Sequence, residues 1–345
     1  MKRSVLLFFI VFSRLFPLFS EENESIKTPE AIEQELKYDE ELFKHAKEMF
    51  NPWYAGPLLT GGAHMMPPGV ASVQPYIFVN DTYAVWNGNR KSIDIPNRVN
   101  LNPSISAFSF GITKWLDMAI SIQGDVNWQK GKCSGGFGDT TLGVGFRILT
   151  EGLHLPAIRL VFNETFPTGR YQQLDPNKLA LDATGSGSYQ SQIGMRISKI
   201  FFWSYRHPMN LRASYSYTIP SHVHVKGFNS YGGGYGTHGR VCPGSSQALN
   251  AAMEYSFTQK WVFACDAVYT WAGKTTFKGT PGVYANGKIA GVGYGSSDQL
   301  SLAPAIEYNP NAHLNFLGGI WFDFYGRNTG KFISGVISMS YTFDW

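Results

Sequence analysis

The sequence predicts an all-β fold: a 12-stranded antiparallel transmembrane β-barrel of the bacterial outer-membrane type, preceded by a short acidic helix. Three observations point there. The hydropathy period is two over most of residues 72–345, long and short connections alternate along that whole region, and the last strand ends on an aromatic, Trp345. Composition agrees, with charged residues at 16%, aromatics at 15% and 37 glycines. Beyond the first twenty residues no charge-free apolar run reaches the length of a transmembrane helix.

The chain starts as an export signal would. Lys2 and Arg3 precede the apolar run Val5 to Phe12, and Ser20 ends it before Glu21 and Glu22, so residues 1–20 are expected to be a signal peptide. An amphipathic membrane anchor is the alternative, because Arg14 interrupts the run. Removing Lys2, Arg3 and Arg14 from the 29 basic residues leaves 26 against 25 acidic ones. A balance so near zero, without a basic stripe, excludes a nucleic-acid partner.

Residues 28–50 are expected to form one helix. Thr28 suits the N-cap, Pro29 the first turn, and Ile32, Leu36, Phe43, Ala46 and Phe50 form an apolar stripe among acids. Asn51-Pro52 ends it. Residues 51–71, rich in Pro and Gly, are an irregular connector, and the whole of 21–71 is expected to be periplasmic.

Strand alternation then takes over. In the last strand Ile333, Gly335, Ile337, Met339, Tyr341, Phe343 and Trp345 share one face, and Ser334, Ser338, Ser340, Thr342 and Asp344 the other. A sandwich would need a second layer over that apolar face, whereas a barrel turns it to lipid and the polar face to a wet lumen. The same pattern recurs over 118–128, 141–148, 210–219, 249–257, 261–271 and 299–308. Residues 158–166 and 189–199 fit less closely because Glu164 falls on the apolar face, and 313–324 place Trp321 in the lumen. Residues 100–112 change phase near Ala107, which predicts a bulge.

Short turns fall near 113–117, 151–156, 202–208, 258–260 and 309–312, and long Gly-rich loops near 87–98, 130–138, 167–187, 220–244, 272–297 and 325–330. Strict alternation of the two is a barrel property, and it places both termini on the short-turn, periplasmic side. The outward row Tyr341, Phe343 and Trp345 is the expected signal for barrel-assembly machinery.

Two stretches carry a family resemblance. Trp53-Tyr54-Ala55-Gly56-Pro57-Leu58-Leu59, with His64 and Pro67-Pro68-Gly69, leads into Val73 to Phe78; later Phe166-Pro167-Thr168-Gly169-Arg170-Tyr171 precedes Gly185 to Tyr189. This resembles the outer-membrane transporter-like family linked to the meta-pathway of phenol degradation. The resemblance implies a barrel that passes small, often aromatic, compounds across the outer membrane. It does not extend to residues 28–50.

The predicted lumen face carries ordered charges. Arg147, Arg159, Arg196 and Arg212 lie on four consecutive strands, Glu254, Asp266, Glu307 and Asp323 on the next four, and Asp125 on an earlier one. One wall would be basic and the opposite wall acidic, a field that tunes solute selectivity; the alternative is a set of salt bridges plugging a narrow barrel. Cys133 and Cys242 fall in external loops, where a disulfide or free thiols would both be tolerated, and Cys265 faces lipid. His222 and His224, with His238 and Cys242, match no strong metal motif. No cofactor and no catalytic set is expected, although a barrel hydrolase and a structural or adhesive surface barrel stand as alternatives to a channel for small solutes in outer-membrane lipid.

Overall fold

The computed structural model describes residues 54–201 and 207–345, with the side chains of 105–107 left aside. The signal peptide, the helix expected at 28–50 and Trp53 lie outside the described residues. The wall is built from β1 (Val70–Val73), β2 (Pro75–Trp86), β3 (Ser92–Gly111), β4 (Leu116–Gln129), β5 (Lys132–Phe137), β6 (Thr140–Leu149), β7 (Ala157–Phe166), β8 (Gln190–Phe201) and β9 (Met209–Pro220). Next come two loop strands, β10 (Val223–Lys226) and β11 (His238–Cys242), and two wall strands, β12 (Ser246–Ser256) and β13 (Trp261–Ala272). The rest are β14 (Thr276–Thr280), β15 (Ser297–Tyr308), β16 (Leu314–Arg327) and β17 (Thr329–Asp344).

Antiparallel pairing closes the wall on itself. β17 pairs with β16, with β2 (Gly335 opposite Val79) and with β1 (Val73 opposite Tyr341). β1 and β2 form one stave, as do β5 and β6, because both pairs lie against a common neighbour with a short break between them. Twelve staves result, as alternation predicts. The phase change near Ala107 is a register shift between Ile105 and Phe108 against β4.

The faces sort as the period-two pattern dictates. Ile77, Val79, Ile122, Leu142, Ile193, Met195, Leu249, Ile306, Ile320 and Ile337 are exposed on the outside. Apolar exposure on nearly every stave far exceeds what a water-facing surface carries, and it suits a lipid band. Glu164 is outward too, beside the loop end of its strand, where Ser191 Oγ donates to it at 2.7 Å.

Two connections differ from expectation. The long loops expected at 87–98 and 325–330 are strand extensions closed by tight turns: Asn87 N–H donates to Lys91 at 3.0 Å, and Asn328 alone, at φ 50°, joins β16 to β17. Cross-strand bonds continue past the apolar band, so the backbone is satisfied without a loop. The Gly-rich loops at 220–244 and 272–297 also contain order. β10, β11 and β14 form a separate three-stranded sheet around buried Val223, Val225, Tyr231 and Val241. Burial in this loop cluster raises the Tyr231 phenol pKa.

Candidate functional site in the barrel lumen

Residues 54–66 do not hang outside the barrel as a connector; they form a strap across the lumen at its short-turn half. The sequence alone reads 51–71 as an irregular connector, and residues 54–64 of it bond to the inner wall. Ala55 N–H donates to Glu307 at 3.1 Å, Thr60 N–H to Asp266 at 2.8 Å, and Ala63 N–H to Ser198 Oγ at 2.9 Å. Tyr54 bonds Ser256 at 2.8 Å, and His64 Nε2 lies 3.0 Å from the Glu151 carboxylate. An irregular segment offers many unpaired backbone N–H groups, and buried carboxylates are strong acceptors for them.

Apolar packing fixes the same strap. Leu58 sits on Ala264, Ala303, Ala305, Leu317 and Val336, with Tyr76, Phe78 and Trp321 around them. Small side chains on β13 and β15 leave the room that Leu58 fills. Gly61 and Gly62 meet the arginine wall: a Cβ on Gly61 would lie 2.6 Å from Arg196 Cζ, and one on Gly62 2.6 Å from Arg212 Nη1. Trp321 is in the lumen as expected, its Nε1 donating to Ser301 Oγ at 2.9 Å.

The charges are inward but do not form two bare walls. Arg212 makes a bidentate pair with Glu254, at 2.6 and 2.9 Å, where the basic and acidic strands adjoin. Arg159 is paired with Asp117, a residue expected only in a turn. Asp266 and Glu307 hold the strap. Asp323 accepts from Phe332 N–H at 2.7 Å and from Trp86 Nε1, while Asp125 accepts from Asn100 and Asn102 at 3.1 and 3.0 Å. Arg212 and Arg159 are thus neutralised by ion pairs, while Asp266, Glu307, Asp323 and Asp125 accept only from neutral donors. Arg147 and Arg196 stand outside these pairs. Both are half-buried, and neither has a side-chain hydrogen bond or salt bridge with another described residue, although Asp117 lies near enough to Arg196 to favour its charge.

Above the strap the wall from β6 to β9 is polar and uncharged. Asn163 donates to Gln192 at 2.7 Å, Gln192 to Thr218 at 3.1 Å, and Thr141 bonds Thr165 at 2.8 Å. At the loop end, Asp139 accepts Gly169 N–H at 3.0 Å and Ser186 N–H at 2.8 Å, which ties down the Pro-Thr-Gly-Arg-Tyr loop. Asn127 Nδ2 donates to the carbonyl of fully buried Leu181 at 3.1 Å. Asp298 joins Arg327, at 2.9 Å, and Arg90 across the opposite rim.

The cysteines stand apart. Cys133, on β5 opposite Trp128, and Cys242, on β11 opposite Thr276, belong to different sheets, and all three thiols are free. The bond considered between them is not formed. His222 accepts from Arg240 rather than sharing a cluster with Cys242. The C-terminal row is outward: Tyr341 stacks with Phe343 at 6.0 Å, and Trp345 meets Phe110 edge-on at 6.4 Å.

Among solved structures, an outer membrane channel from Pseudomonas putida F1 superposes with a TM-score of 0.63 at 14% identity, covering 82% of this chain and 98% of that one. The fold is that of an outer-membrane barrel. The NanC porin (TM-score 0.37, 11% identity, 77% of this chain and 98% of that one) and the CymD monoaromatic hydrocarbon channel (0.34, 10%, 81% and 89%) are more distant. No protein-family model and no curated protein matches the sequence, and the resemblance read from Trp53–Phe78 and Phe166–Tyr189 finds no support there beyond the fold.

Proposed function

We propose that the chain is an outer-membrane channel for small hydrophilic solutes, which pass through the lumen past the strap. The observation that carries this reading is Arg196, a lumen cation with no hydrogen bond or salt bridge to another described residue, whose neighbouring carboxylate, Asp117, is already bonded to Arg159. The carboxylates around it are engaged: Asp117 by Arg159, Glu254 by Arg212, and Asp266 and Glu307 by the strap. An unpaired guanidinium beside a narrow path attracts anions and repels cations, so small anions are the favoured solutes. The amide and hydroxyl groups above it, from Asn163 to Thr218, can replace a solute's hydration shell. A polar lining of this kind favours polar solutes among the small, often aromatic, compounds that the family resemblance implies.

The strap narrows the short-turn end. This supports a second reading, a closed structural barrel, in which residues 54–66 seal the lumen. In the channel reading the short-turn side is periplasmic, which places residue 69 and Trp345 there together, since Trp345 N–H donates to Gly69 at 2.9 Å. The signal peptide, delivery to outer-membrane lipid and recognition of Tyr341, Phe343 and Trp345 by assembly machinery belong to the same reading. Liposome swelling with graded solutes separates the two: solute entry supports the channel, and none from correctly folded protein supports the sealed barrel.

A further inference from the structure

The lipid-facing wall has one recess that the channel reading does not use. It lies on the outside of β2, β15, β16 and β17, with a volume of about 480 Å³ and walls of Ile77, Ile306, Phe316 and Ile337. Its floor is Gly318, where an added Cβ would meet nothing within 4 Å. A volume of this size falls in the range of small-ligand pockets, and the walls are almost wholly apolar. At the short-turn end the Trp261 and Tyr308 rings lie 4.6 Å apart, as aromatic pairs do at a membrane–water boundary.

Lys260 stands just beyond that pair. It is exposed, and its carbonyl accepts Asn309 N–H at 2.8 Å, which joins the two turns that flank the recess. Those turns, 257–260 and 309–313, contain no acid. Apolar trough, interfacial aromatics and a free ammonium thus occur in the order in which a phospholipid presents chain, glycerol level and phosphate.

We propose that this recess holds one anionic phospholipid of the leaflet at the short-turn face, with an acyl chain over Gly318 and the phosphate toward Lys260. The proposal rests on the barrel spanning a bilayer, not on its conducting solutes. The missing side chain at Gly318 lets an acyl chain sink between the flanking apolar side chains of the recess.

Native mass spectrometry of the full chain, refolded with equal phosphatidylglycerol and phosphatidylcholine, tests it. One retained phosphatidylglycerol is expected on the wild type. Gly318→Leu fills the floor and should abolish retention, while Lys260→Gln, in an exposed turn, should lower the preference for phosphatidylglycerol about fivefold. Heat-modifiable gel mobility verifies folding of each variant, and if Gly318→Leu fails to fold, Ile306→Phe narrows the same recess from its side. Equal retention by wild type and both variants would overturn the proposal. So would a wild-type dimer that Gly318→Leu dissociates, which would assign the recess to a second copy. Lipid retention without single-channel conductance would contradict the channel reading and leave the lipid site standing.

Discussion

Thr60 N–H donates to the Asp266 carboxylate at 2.8 Å across 206 residues of sequence, and both groups are buried in the lumen. Asp266 also accepts Leu59 N–H at 3.3 Å. One carboxylate on β13 therefore orients the strap at the point where Leu58 enters its apolar seat. Replacing Asp266 by Ala leaves two strap amides without their acceptor. It should lower stability by about 1–3 kcal/mol, read from the urea midpoint of refolding, and raise single-channel conductance as the strap detaches.

Leu58→Ala tests the other half of that attachment. The side chain is 4% exposed and clusters with five other buried residues on facing staves, so its truncation should destabilise the barrel by about 2–5 kcal/mol. Conductance should rise here as well, since the carboxylate bonds alone would hold the strap less firmly. A variant with normal stability and normal conductance would mean that Leu58 does not seat in the lumen.

Arg212 and Glu254 form a buried bidentate ion pair in the wall. Losing one partner strands a buried charge, and Glu254→Gln should cost about 3–5 kcal/mol. The double variant Arg212→Met with Glu254→Leu should recover most of that loss, because the pair's attraction roughly offsets its own desolvation. Equal losses in the single and double variants would show that the ion pair is not what these residues contribute.

The loop at the mouth stores backbone strain. Leu179 and Ala180 are both left-handed, at φ 55° and 58°, and such residues cost on the order of 1 kcal/mol or more each. Burial of Leu181 and the bond from Asn127 hold them there. Asn127→Ala should release the segment, so limited proteolysis should cut within 173–181 faster than in the wild type. Unchanged cleavage would count against Asn127 as the latch.

Alternation made the wall legible because lipid and water impose opposite demands on successive residues, and only a bulge, as near Ala107, can shift that phase. The inward placement of Arg159, Arg196, Arg212, Glu254 and Trp321 follows from the same parity. What each charge pairs with does not, since Asp117 sits at the very start of β4 and reads as a turn residue. The strap was hidden for a related reason: residues 54–66 have no period, and their partners lie between 87 and 252 residues away. Its one local signal is Leu58-Leu59 between Pro57 and Gly61-Gly62, apolar residues with no strand or helix to carry them. In the outer sheet, Val223, Val225 and Val241 alternate with polar residues, a period-two signal too short to stand out within a Gly-rich loop.

The central claim is that Arg196 governs a solute path left open beside the strap. The most direct test is the reversal potential of single channels in a planar bilayer under a potassium chloride gradient. The wild type should be anion-selective, and Arg196→Glu should shift the reversal potential toward that of potassium with the channel still conducting. Identical reversal potentials in the two proteins, or no conductance from correctly folded wild type, would contradict the account.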